Sequence, residues 1–105
     1  GISLVSTDDC FVFENLTNNN NGAGIFLFED CDGNFIERNV SNFNGWMGIY
    51  FDFDSRDNVY GRNVLRNNLG NVTCGGQNAL PPCASPSVCD LGTNNTSYKD
   101  NMGPG

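Results

Sequence analysis

Apolar and polar residues alternate along this chain in short runs that return at a fixed interval. Ile2/Leu4, Ile25/Leu27 and Ile49/Phe51 each follow a glycine, and each run closes on a polar stretch: Ser6 to Asp9, Glu29 to Gly33, Asp54 to Asp57. Period-two alternation of β-branched and aromatic residues marks a strand with one face buried. A second motif follows the polar stretch, with Asn34, Ile36, Asn39 and Asn44 in one unit and Asn58, Tyr60, Asn63 and Asn68 in the next. In the first unit Cys10 holds the place of the leading asparagine, ahead of Asn15 and Asn20. The interval between equivalent positions is 24 residues, with the first unit one residue short between its glycine and its asparagine. Repetition at such a period is the mark of a stacked-repeat architecture, in which equivalent residues lie above one another. No stretch carries a helical period, and Asn and Gly are poor in helix interiors.

These runs predict three coils, Gly1 to Ala23, Gly24 to Met47, and Gly48 to about Val72, each made of short strands joined by Asn/Gly turns. Parallel strands in neighbouring coils would lie ~4.8 Å apart. Asparagine suits the corners on two counts: it tolerates left-handed backbone, and its amide can bond to the amide above and below. The eight residues Asn15, Asn39, Asn63, Asn20, Asn44, Asn68, Asn34 and Asn58 are thus expected to form three structural ladders. The Gly-Ile openings and spaced asparagines resemble the right-handed parallel β-helix proteins of the pectate-lyase-like superfamily, over residues 1 to 72. That resemblance implies an all-β, right-handed parallel β-helix, and it implies no particular function, because the fold hosts lyases, hydrolases, epimerases, adhesins and phage tailspikes.

After Val72 the register fails. Gly75-Gly76, Pro81-Pro82 and Pro86 interrupt the strand pattern, so residues 73–105 are expected to form an irregular, cysteine-containing extension. The chain opens on Gly1 in mid-repeat and reads as a processed or excised piece.

Composition narrows the setting. Asn supplies 18 of 105 residues, Lys and Arg together only 5, and the formal charge is −7, which disfavours nucleic acid and anionic membranes as partners. The cysteines, Cys10, Cys31, Cys74, Cys83 and Cys89, are many for this length. All five are disulfide candidates; three lie in the extension and are expected to staple it in an oxidising, extracellular compartment. Asn-x-Ser/Thr triplets start at Asn15, Asn39, Asn71, Asn94 and Asn95; Asn71, Asn94 and Asn95 are the glycosylation candidates outside the ladders.

Candidate chemistry is sparse. There is no His and only one Lys, so Ser-His-Asp and Cys-His systems are excluded. Asp8-Asp9 could pass for the paired carboxylates of a glycoside hydrolase. Their counterparts, Asp32-Gly33 and Arg56-Asp57, sit in a turn that is polar in every unit, which favours a solvated turn. Glu29, Asp30 and Asp32, with Asp54 and Asp57 one coil on, suggest Ca²⁺, yet they lack the bidentate Glu of an EF-hand loop. Otherwise no cofactor is expected.

The outward positions are unusual. Phe11, Phe35 and Val59, then Phe26 and Tyr50 with Trp46 near a corner, form apolar stripes of the kind that mark an interface. The extension, a neighbouring chain or domain, or a polysaccharide could cover them. The expected function is a non-catalytic, extracellular structural or adhesive module. It would assemble with copies of itself into a filament or belong to a larger surface protein. The alternative is a fragment of a carbohydrate-active β-helix enzyme.

Overall fold

The computed structural model describes residues 1–68 and 88–97, together with the backbone of two short strands at 73–74 and 77–78. Each unit supplies one strand to each of two parallel sheets. The first sheet joins β1 (Ile2–Val5), β3 (Ile25–Phe28), β5 (Ile49–Phe51) and β9 (Val88–Asp90) in that spatial order. The second joins β2 (Phe11–Phe13), β4 (Phe35–Glu37), β6 (Val59–Gly61) and β10 (Thr96–Ser97). Register follows the repeat: Ile2 pairs with Ile25 and Ile25 with Ile49, while Phe11 pairs with Phe35 and Phe35 with Val59. Two further parallel columns, Asp32–Arg56–Thr93 and Leu16–Val40–Val64, line the remaining sides. A separate antiparallel pair links β7 (Thr73–Cys74) and β8 (Gln77–Asn78). No helix occurs among the described residues, and the architecture is β-helix-like.

The core forms where the alternation predicts it. Leu4, Val12, Ile25, Leu27, Ile36, Ile49, Phe51 and Leu65 pack into one buried cluster between the two sheets. Glycine opens the units because the coils approach closely there. A Cβ on Gly24 would collide with Ser41 Oγ and stand 3.0 Å from Gly48 O, so no larger residue fits without displacing the adjoining coil.

The expectation of an irregular extension does not hold for residues 88–97. β9 pairs in parallel with β5, β10 with β6, and Thr93 with Arg56, so the chain rejoins the stack. Asn95 lies 37 residues after Asn58, yet it receives the hydrogen bond that the 24-residue period would assign to the next rung. The intervening insertion breaks the period in the sequence without breaking the stack.

Candidate functional site: the amide columns and the outer ring stacks

The dominant organised feature is the set of inward amides. Asn34, Asn39, Asn44, Asn58 and Asn63 are fully buried and Asn68 is nearly so. Asn39 shows the geometry. Its Oδ1 accepts from the Asn15 backbone N–H at 2.9 Å and from Asn15 Nδ2 at 3.1 Å, while its Nδ2 donates to Asn63 Oδ1 at 3.0 Å and to Val12 O at 2.8 Å. Both donors and both acceptor sites of the amide are used, so a polar group at the centre of the molecule incurs no desolvation penalty for a missing partner. The column Asn20–Asn44–Asn68 repeats the scheme at 2.9–3.0 Å, and Asn34–Asn58–Asn95 repeats it at 2.8–3.0 Å. Cys10 takes the next place in that column: its N–H donates to Asn34 Oδ1 at 2.9 Å, with a thiol where the other units carry an amide.

One detail differs from expectation. The column asparagines do not adopt the left-handed conformation themselves; the residue before each one does. Glu14, Arg38 and Arg62 precede Asn15, Asn39 and Asn63 with φ between 54° and 57°. Asn19, Phe43 and Asn67 precede the second column, and Asp9, Gly33, Asp57 and Asn94 precede the positions running from Cys10 to Asn95. Turning the chain one residue early aims the next side chain inward and leaves its N–H pointing along the stack. The left-handed residue faces outward, where Arg, Glu or Phe fits, at an energetic cost of ~1–2 kcal/mol each.

A second set of bonds runs in the opposite sense on the outside. Asp8 Oδ1 accepts from Asp32 N–H at 3.0 Å and Asp32 Oδ1 from Arg56 N–H at 3.0 Å; Asn18 and Asn42 do the same for Asn42 and Arg66. Asp8 is thus tied to the next coil, while Asp9 serves as a left-handed corner. The five acidic residues considered for Ca²⁺ do not converge. Arg56 reaches Asp30 at 3.3 Å and Asp32 at 3.7 Å and places a fixed cation between them. The hydrogen bond that Arg56 donates to Asp30 and the charge of Asp32 hold its guanidinium above its usual pKa. Asp57 instead accepts from Asn94 Nδ2 at 2.6 Å. Among the described residues no three acidic or thiol side chains gather as a metal-binding group.

The outward stripes divide. Phe11 and Phe35 stack with centroids 5.2 Å apart, and both are exposed, at 72% and 39%. Beside them Val59 is half-buried. On the other sheet Phe26 and Tyr50 stack at 4.7 Å, and Trp46 stacks on Tyr50 at 4.9 Å. Tyr50 is only 2% exposed, which removes it from the expected open interface. Met47, Cys89 and Leu91 pack around it in a satellite cluster with Trp46 and Phe26. Burial, then the charge of Asp52 and a hydrogen bond to it, pushes the Tyr50 phenol up to about 12. In both stripes the ring faces are turned toward one another along the stack, so a sugar approaching from the side meets ring edges.

Cys10 and Cys31 are free thiols, which corrects their place among the disulfide candidates; Cys31 Sγ donates to Leu4 O at 3.3 Å inside the core. Side chains of Cys74 and Cys83 lie outside the described residues, as does Asn71. Of the other glycosylation candidates, Asn94 is exposed with its Nδ2 donating to Asp57 at 2.6 Å, and Asn95 Nδ2 donates to Ser55 O at 3.1 Å and Asp90 Oδ1 at 2.8 Å.

Sequence reasoning missed the rung at Asn95 and the outer bonds of Asp8, Asp32, Asn18 and Asn42. The 24-residue recurrence of the latter (Asp8/Asp32, Asn18/Asn42) was a signal that could have found them. Neither a protein-family model, nor a curated protein, nor a solved structure matches the chain.

Proposed function

We propose that the chain is a non-catalytic structural module of the right-handed, pectate-lyase-like β-helix kind, whose first coil stacks on a further coil of the same 24-residue repeat. One observation carries the reading. Asn39 and Asn44 each accept two bonds at Oδ1, whereas Asn15 and Asn20 accept none there among the described residues. The same edge holds β1 and β2, each paired on one side only among the described residues, and the two most exposed large apolar side chains among them, Phe11 and Leu16 at 72% and 71%. A coil with the same pattern brings the missing donors, strand partners and ring. An extracellular setting, with Cys89 joined to Cys74 or Cys83, belongs to the same proposal and is supported by the cysteine content and the charge of −7.

The test is assembly of the purified chain. Sedimentation and negative-stain microscopy should show rods that lengthen with concentration along the coil axis. Phe11→Lys with Leu16→Lys should dissolve the rods without unfolding the chain, since both side chains are exposed. A wild-type chain that stays monomeric at high concentration sinks stacking between copies.

A further inference from the structure

Two Asn-Gly pairs occur in the described coils, Asn21-Gly22 and Asn44-Gly45, at the same corner of successive units. This dipeptide is chemically special. The glycine backbone nitrogen, after losing its proton to water, can attack the asparagine Cγ. Ammonia leaves and a five-membered succinimide closes. Water then opens the ring at either carbonyl, giving aspartate or isoaspartate. The reaction consumes only water and needs two freedoms: a mobile side chain and a nitrogen able to swing toward it.

The structure grants those freedoms to one pair and withholds them from the other. Asn44 is fully buried, and its amide is held by Asn20, Asn68 and Ser41 at 2.9–3.1 Å. Its partner nitrogen, Gly45 N, is committed to Asn20 O at 2.7 Å, and an added Cβ on Gly45 would collide with Asn21 O. Asn21 and Gly22 are both exposed, and nothing lies within 4 Å of a Cβ built on Gly22. We infer that Asn21 is a site of spontaneous hydrolytic modification in the folded protein, and that the amide column shields Asn44 from the same fate.

The site matters because of what brackets it. Asn20 O and Gly22 O accept from Gly45 N at 2.7 Å and Trp46 N at 3.2 Å, the bonds that tie the first coil to the second at this corner. Aspartate adds one negative charge to a chain already at −7. Isoaspartate also inserts a methylene into the backbone between those two carbonyls. The spacing of adjacent acceptors then no longer matches that of their donors, and the seam between the coils loosens at Trp46.

The experiment ages the full-length chain in mildly alkaline buffer at body temperature and follows both positions by peptide mapping with isoaspartate detection. In the folded protein Asn21 should convert at least about a hundredfold faster than Asn44, because reaction at Asn44 first requires its four hydrogen bonds to open. In denaturant the two rates should converge. Gly22→Ala, which the open space tolerates, should leave the fold unchanged and suppress conversion at Asn21, since a side chain hinders attack by its nitrogen. Similar rates at Asn21 and Asn44 in the folded chain overturn the inference, as does an Asn21 that stays intact while Asn44 reacts in denaturant. Neither result depends on whether the chain assembles.

Discussion

Inside and outside, this molecule stacks like upon like at the spacing of its coils, but with different results. Inside, amides stack in three columns, and a buried amide such as Asn39 has every hydrogen-bonding position occupied. Outside, rings stack in two columns, one covered and one open. The difference shows which contacts specify register. An amide column tolerates no slip, because a shift of one residue would bury several unpaired donors and acceptors at once. A ring column gains area and stacking from any neighbour of similar size. Register is therefore an interior property here, and the outer stacks follow it.

The contrast is broken most severely by Asn39→Ala. It should leave Val12 O, the Asn15 N–H and the Asn63 carbonyl oxygen short of partners in the interior, and cost about 4 kcal/mol in urea unfolding. A loss below ~1 kcal/mol would show that the columns are incidental. Next comes Gly24→Ala, which forces a methyl group against Ser41 and the adjoining coil. A loss of about 2–3 kcal/mol is expected by thermal unfolding, against essentially none for Gly22→Ala.

Tyr50 tests the covered outer stack through pH. Its folded pKa of about 12 lies above the ordinary value of 10.0, so the unfolded chain releases the proton first as pH rises. Stability from this group is fully present below pH 10.0 and drains away as pH rises toward 12. Tyr60, raised by burial and the charge of Asp90, acts in the same direction. In Tyr50→Phe the alkaline slope should shrink markedly; an unchanged slope would mean the phenol is not held in the cluster.

Smaller effects sharpen the picture. Among the described residues Thr17 Oγ1 is the interior exception, a buried hydroxyl with no hydrogen-bond partner. Thr17→Val should therefore stabilise the chain by about 1 kcal/mol, measured by the same unfolding assay. Phe35→Ala removes an exposed ring from the open stack and should cost at most ~1 kcal/mol. A larger loss would show that the outer column also holds the coils together.

Much of this was legible from residue spacing. The 24-residue return of Asn15, Asn39 and Asn63 placed the columns, and the alternation in Ile25/Leu27 and Ile49/Phe51 placed the core, because burial and stacking act on side-chain period directly. The rung at Asn95 was hidden because an insertion ahead of β9 separates it from its column by 37 residues, and a period search sees only regular intervals. The corner conformations were also misplaced. Left-handed backbone falls on Arg38 and Phe43, residues with no intrinsic preference for it, because the packing of the asparagine that follows dictates the turn. Tyr50 looked exposed since its strand neighbours point it outward; the cover comes from Met47, Cys89 and Leu91, outside that strand.

The interior rungs also carry a direction. From Asn15 to Asn39 to Asn63, the lower residue gives its protons upward to the side-chain oxygen of the one above. Such an object has a head and a tail, like an arrow. Two starting ends brought face to face would each present the same row of empty oxygens, acceptor against acceptor. For these columns a two-fold pairing through that end leaves the oxygens without donors, whereas a neighbour whose arrow points the same way supplies them.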